Sequence, residues 1–237
     1  MTVNFAILID GGFAKRKLGN AKTPATADDF KRLVDAITDE PALEHMRLHR
    51  VYYYDSVPLE STEAKPLQGG TVEFSKEPIV ARSRQLFLHL SRLPLMALRL
   101  GELSFNGWAI SRKKLDKAVG DRVEILAADL KPAITQKGVD MRIGMDIAAL
   151  TLKKQAQVIV LVTGDSDFVP AMKFARREGA QLFLAPLGHK IKETMYEHSD
   201  LVLQFEVPGR PLVPNIDPPM PPAEAAQRPL PAQSQEL

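Results

Sequence analysis

The stretch VIVLVTGDSDF, residues 158–168, decides the fold. Its first five side chains are all apolar, which predicts a strand buried on both faces, as in a parallel sheet. Two acids, Asp165 and Asp167, follow this strand almost directly. Open α/β sheets bind their ligands at the carboxyl ends of their strands. The two carboxylates are therefore expected in a ligand site.

The remaining chain alternates strand-like and helix-like segments. Strands are predicted near residues 4–9, 48–54, 96–103, 158–162, 181–185 and 201–205, and helices near residues 27–38, 79–91, 140–154, 168–178 and 189–198. Such alternation predicts parallel strands joined by right-handed crossovers, with helices on both faces. The fold class is therefore expected to be α/β, a three-layer α/β/α sandwich with a mainly parallel, Rossmann-like sheet. Residues 55–78 predict a long loop, and residues 105–108 a hairpin turn.

Composition narrows the class of protein. The 237 residues include 45% hydrophobic side chains, enough for a sizeable core. The absence of cysteine excludes disulfides, thiolate catalysis and cysteine-based zinc sites, and it fits a reducing cytosol. With no signal peptide or membrane-spanning run apparent, we expect a cytoplasmic protein without membrane contact. The net charge of +2 already includes the acids of the expected site, so the rest of the surface is more basic.

Proline usage divides the chain into two parts. Nine of the 18 prolines lie after residue 206, where large apolar residues are sparse. We expect one domain over residues 1–206 and a disordered or polyproline-type tail over residues 207–237. The tail is interpreted as passive. The alternative is a docking segment for a protein partner, through the prolines of residues 218–222.

Four acids are candidate metal ligands and catalytic residues. Asp10 ends the first predicted strand, Asp140 opens a predicted helix, and Asp165 and Asp167 follow the buried strand. Each acid alone could be a helix cap or a turn former. Two carboxylates about 4 Å apart, however, repel by roughly 4 kcal/mol at a surface-like dielectric. Either their pKa values rise or a cation binds, and Mg²⁺ and Mn²⁺ prefer oxygen ligands and support phosphodiester hydrolysis.

Other side chains are predicted to assist. Asp146 lies in an apolar segment and needs a partner, so it is expected to support the site from behind. Lys137 could neutralise a phosphate. A basic cluster formed by Lys15, Arg16 and Lys17 follows Asp10 and could bind a nucleic-acid backbone. Trp108, at the predicted turn, is the aromatic residue chosen for stacking on a base.

The chain resembles a known family in three places: the first strand with Asp10, the segment KGVD at residues 137–140, and the turn GDSDF at residues 164–168. This combination is similar to the NYN domain, which includes LabA-like and DUF88 bacterial proteins of the PIN-like nuclease superfamily. The resemblance spans most of residues 3–206. It implies a sandwich fold, an RNase activity, and Mg²⁺ or Mn²⁺ held by the four acids, with Ser166 as a hydrogen-bonding neighbour. Phe13 stands where the family commonly has a polar residue.

The leading hypothesis is a metal-dependent nuclease acting on single-stranded RNA, with DNA as a possible substrate. A non-catalytic module that binds nucleic acid or protein on the same fold is the competing hypothesis. A phosphatase of small nucleotides is a third, which a closed pocket built from residues 55–125 would favour and an open groove would disfavour.

Overall fold

The computed structural model describes residues 2–116 and 123–209. The strands are β1 Asn4–Asp10, β2 Arg47–Val57, β3 Thr62–Ala64, β4 Thr71–Glu73, β5 Met96–Ile110, β6 Leu130–Lys137, β7 Val158–Val162, β8 Gln181–Leu184 and β9 Leu201–Val202. The helices are α1 Gly11–Leu18, α2 Ala27–Thr38, α3 Pro78–Leu90, α4 Arg112–Leu115, α5 Val139–Leu152, α6 Val169–Arg177 and α7 Glu193–Glu197. Within the described residues, seven strands form one sheet in the order β6-β5-β2-β1-β7-β8-β9. Among the described strand pairs of this sheet, only β5–β6 is antiparallel, so the predicted mainly parallel α/β fold is confirmed.

The central strand β1 divides the core into two layers. Phe5, Ile7 and Ile9 pack into one hydrophobic cluster together with residues of α1, α2 and α3. Ala6 and Leu8 pack into a second cluster on the other face, with residues of α5 and α6. Alternate residues of a strand point to opposite faces, so a fully apolar strand is what a sheet covered on both sides requires.

Local sequence signals fix the helices. In α2, the Thr26 and Asp29 side chains cap each other's backbone N–H groups, a capping box, and Phe30, Leu33 and Ile37 form its buried face. In α5, the residue before the first turn is Gly138, whose φ of 76° is in the left-handed region that favours glycine.

Two predicted loop or turn regions are wrong, and one helix is missing from the prediction. The stretch after Asp10 forms helix α1, where no helix is predicted. Residues 55–78 include the antiparallel pair β3–β4, not one long loop. At residues 105–108 the chain does not turn back, because β5 continues to Ile110 with a shift in its pairing register. Gly107, at φ 92°, absorbs this irregularity.

One strand of the seven-stranded sheet is absent from the prediction. The edge strand β6 pairs with the second half of β5 and brings the chain to Gly138, where α5 begins. The last helix is also shorter than predicted, since α7 has five residues instead of the expected ten.

The predicted proline-rich tail, residues 207–237, lies outside the described residues from residue 210 onward. No helix in the described ranges is long and apolar enough to cross a bilayer.

Candidate active site

Asp10 lies where β1 passes into α1. Its Oδ1 accepts a hydrogen bond from the Phe13 backbone N–H (3.0 Å), which caps α1, and its Oδ2 accepts one from the Thr163 hydroxyl (3.2 Å). Burial raises the pKa of the Asp10 carboxyl; the two hydrogen bonds and Arg16 oppose this rise, and the charge of Asp140 adds to it. Asp10 is thus a half-buried carboxylate whose ionised form is disfavoured by its surroundings.

The turn after β7 is tied to Asp10 through Thr163. This residue is fully buried, and its hydroxyl oxygen also accepts a hydrogen bond from the Asp165 backbone N–H (3.2 Å). Asp165 in turn accepts a hydrogen bond from the Asp167 backbone N–H (2.9 Å) and caps the short 3₁₀ turn Ser166–Phe168. One buried hydroxyl therefore joins the end of β1 to the acids that follow β7.

Asp140 lies in the first turn of α5, where its side chain is exposed. Partial desolvation raises the pKa of its carboxyl, and the charges of Asp165 and Asp167 raise it further. The charge of Asp140 also acts on Asp10, so Asp140 lies within electrostatic reach of the other three acids. We call Asp10, Asp140, Asp165 and Asp167 the acid cluster. It gathers the four predicted ligands at the carboxyl edge of the sheet.

The side chains of the acid cluster are widely spaced. In the described part of the chain, no three His, Asp or Glu side chains are close enough together to hold a metal ion between them. The donor set nevertheless fits Mg²⁺ or Mn²⁺, because these ions bind through one or two carboxylates and keep several waters and substrate phosphates. The arrangement suits an ion shared between protein and substrate.

Asp146 lies on α5 but has other partners. Its carboxylate accepts hydrogen bonds from the Tyr54 hydroxyl (2.9 Å) and from two nitrogens of the Arg99 guanidinium, the Nε at 2.8 Å. Burial raises the pKa of Tyr54, and the neighbouring Asp146 raises it further. Asp146 thus connects α5 to β2 and β5, and its expected support of the site stays a prediction.

The three residues of the basic cluster after Asp10 have different surroundings. Lys15 forms an ion pair with the buried Asp55 (2.6 Å), and Lys17 is itself buried. Arg16 is exposed, and its charge acts on Asp10. Of the three predicted backbone-binding cations, Arg16 therefore has the best access to a ligand at the acid cluster.

Two further predicted residues occupy the periphery. Lys137 is exposed at the end of β6, three residues before Asp140. Trp108 is half-buried on β5, where its indole N–H donates to the Ala64 carbonyl (2.9 Å) and Phe105 packs against its ring. Trp108 thus holds the β3–β4 hairpin against the sheet.

Two residues near the site, Thr163 and Lys192, are not among those predicted from the sequence. The Lys192 ammonium donates to the hydroxyl of Ser166 (2.8 Å), the residue that separates Asp165 from Asp167 in sequence. The sequence signal for both is position: Thr163 directly follows β7, and Lys192 follows β8, the next strand at the same sheet edge. His189, in the same loop, packs edge-on against Phe13 at 5.6 Å between ring centres.

Comparison with known protein families finds a match over part of the chain. The NYN domain matches residues 88–200, a range that includes Asp140, Asp165 and Asp167. The resemblance to this domain is therefore confirmed over that range, and it indicates a PIN-like nuclease fold; the LabA-like and DUF88 assignment stays a prediction. No curated protein matches the chain. A crystal structure of a protein of unknown function from Vibrio parahaemolyticus, VPA0982, is similar, with 15% identity, a TM-score of 0.46, and coverage of 90% of this chain and 97% of that chain.

Proposed function

We propose that this chain, whose residues 88–200 match the NYN domain, is a metal-dependent phosphodiesterase that cuts single-stranded RNA. The observation that carries the proposal is the position of the acids at the carboxyl edge of the sheet, where the Thr163 hydroxyl ties Asp10 to the turn that holds Asp165 and Asp167. Burial raises the pKa of Asp10 and of Asp140, and the charges of neighbouring acids add to both rises. Acids that disfavour each other's ionised form at the carboxyl edge of a sheet are suited to receive a divalent cation.

Asp10, Asp140, Asp165 and Asp167 would hold Mg²⁺ or Mn²⁺. When bound, such an ion supplies positive charge at the scissile phosphate and lowers the pKa of a water molecule that can act as nucleophile. The protein's own contribution is positioning. Thr163 fixes the Asp10 carboxylate relative to the Asp165 backbone, so the first and third acids keep their separation when substrate enters.

Exposed cations around the acid cluster would bind the RNA backbone. Arg16 lies beside Asp10, Lys192 contacts Ser166, and Lys137 precedes α5. Such side chains offset the repulsion between the phosphates and the acids. They also stabilise the extra negative charge that develops on the phosphate during hydrolysis.

The competing proposal is a module that binds nucleic acid without cutting it. The observation that favours it is the spacing of the acids, since none of the described residues form a ready-made group of three metal ligands. The third hypothesis, a phosphatase of small nucleotides, stays a prediction.

Cleavage of labelled single-stranded RNA and DNA, with Mn²⁺, Mg²⁺ or EDTA, separates these proposals. We expect RNA to be cut only with metal, and Asp165→Asn to abolish cutting while the protein remains folded by circular dichroism. RNA binding without cutting under any metal would instead support the binding module.

A further inference from the structure

A cavity of about 380 Å³ lies beside the acid cluster. Gly12 of α1 lines it, and a Cβ at Gly12 would be 3.4 Å from the Asp10 Oδ1, so the cavity begins next to the first acid. Its other walls come from the end of β2, from α3, and from β5 and β6. Its volume is within the range of pockets that bind small molecules.

The walls are mainly apolar, with a few polar groups. Phe74, Val80 and Leu103 provide apolar surface, and the Phe74 ring is braced by Phe105 at 5.8 Å between ring centres. Ser56 also lines the cavity; it is 5% exposed, and its hydroxyl has no hydrogen-bond partner within residues 2–116 and 123–209. A buried hydroxyl without a partner carries an energetic cost that a ligand can remove.

Charge restricts what the cavity can accept. Its lining includes two cations, Lys15 and Arg16, and two acids, Asp55 and Glu77. Because Lys15 is paired with Asp55, Arg16 supplies the positive charge that acts on Asp10. The suitable occupant therefore combines a flat apolar ring, hydrogen-bonding edges and an adjacent phosphate. A nucleotide has all three.

A second cavity, a groove of about 330 Å³ between α1 and α3, lies next to the first. Both cavities are lined by Lys15, Arg16, Ile79 and Ser83. Two adjacent cavities with cations between them fit a strand better than a single nucleotide.

We propose that the first cavity is a base pocket, which holds the nucleobase next to the phosphate at the acid cluster. The proposal rests on the proposed function and deepens it: the substrate class is single-stranded nucleic acid, because a base must leave its helix to enter such a pocket. The next nucleotides follow the groove between α1 and α3.

The test compares a uridine octamer with an abasic octamer that keeps every phosphate. Fluorescence anisotropy on the full chain, with Ca²⁺ replacing Mn²⁺ to suppress cutting, gives the ratio of the two affinities. We expect the wild type to prefer the normal octamer by about tenfold, the scale of one stacked base. Ser83→Trp, which adds a ring on α3 where Ser83 lines both cavities, should bring the ratio to about one.

Two further variants complete the design. Ala81→Trp adds the same ring at an exposed position of α3 outside the cavities, and it should retain the preference. Ser56→Ala removes the hydroxyl with little change in volume and should lower the ratio about threefold; it carries the test if Ser83→Trp does not fold.

The proposal is overturned if the wild type binds both octamers equally, if filling the pocket leaves the preference intact, or if free uridine monophosphate binds as tightly as the octamer. The proposed function is tested separately, since base preference is measured without cutting. A pocket that discriminates bases in a protein that cuts nothing would retain this inference and refute the nuclease.

Discussion

The ion pair between Arg99 and Asp146 should stabilise the fold more than the exposed position of Arg99 on β5 suggests. The Asp146 side chain is 12% exposed, whereas Arg99 is 46% exposed. Removing one partner of a buried pair costs about 3–5 kcal/mol. Because water can replace part of the half-exposed guanidinium, we expect Arg99→Ala to lower the free energy of unfolding by about 2 kcal/mol.

A double-mutant cycle isolates the interaction from the loss of packing. Arg99→Ala, Asp146→Ala and the double variant are unfolded in urea at pH 7 with EDTA present. We expect a coupling energy of about 1.5 kcal/mol, reflecting two charged hydrogen bonds to one carboxylate. The control is the Lys31–Asp35 pair on α2, whose side chains are both more than half exposed, with an expected coupling of about 0.3–0.5 kcal/mol. Equal couplings for the two pairs would refute the structural role of Asp146.

Three further predictions concern the site and its supports. Asp10→Asn should raise the free energy of unfolding at pH 7 without metal, because burial raises the folded-state pKa of Asp10 and disfavours its ionised form. This gain should be present above the folded-state pKa and vanish as the pH falls toward the ordinary value of 3.8, which urea titrations at pH 4 and pH 7 would check. Gly11→Ala should destabilise the fold by about 1–3 kcal/mol, because the new Cβ would lie 2.5 Å from the Tyr54 carbonyl oxygen. Gly12→Ala, whose Cβ would have no contact closer than 3.4 Å, should be neutral or stabilising. Thermal melts of the two variants would check both expectations. Lys192→Ala should weaken RNA binding and reduce its salt dependence by about one phosphate contact, while the melting temperature stays unchanged. The control Lys153→Ala, at the far end of α5, should change neither the affinity for RNA nor its salt dependence. Equal effects of the two variants would exclude Lys192 from the interface.

The central part of the fold could be predicted from local patterns. Strands β1 and β7 are uninterrupted apolar runs, and α2 combines a capping box with a clear buried face. These signals belong to short stretches of sequence, so they need no knowledge of the partners.

The missed elements depend on distant contacts. Helix α1 begins with two glycines, which are poor helix formers, and Gly11 is required there because the backbone of β2 passes close to it. Strand β6 is mostly exposed, contains Pro132 and pairs on one side with β5, so it lacks the apolar pattern of a buried strand. In both cases tertiary structure decides what local propensity does not.

In the candidate site, too, some features follow from local sequence patterns and others depend on distant contacts. The carboxyl-edge rule was enough to suggest Asp10, Asp165 and Asp167 as neighbours. The bond that joins them, from Thr163 to Asp10, links residues 153 positions apart. The pairing of Lys15 with Asp55 is equally invisible in sequence, and it changes which member of the basic cluster can bind a phosphate.

The central claim is that the acid cluster binds a divalent ion that RNA cleavage requires. The most direct measurement is Mn²⁺ binding by electron paramagnetic resonance, alongside the single-turnover rate of RNA cutting over the same Mn²⁺ titration. We predict that rate and occupancy rise with one dissociation constant, and that Asp140→Asn weakens both together. Full Mn²⁺ occupancy without cutting, or cutting that persists in EDTA, would contradict the account.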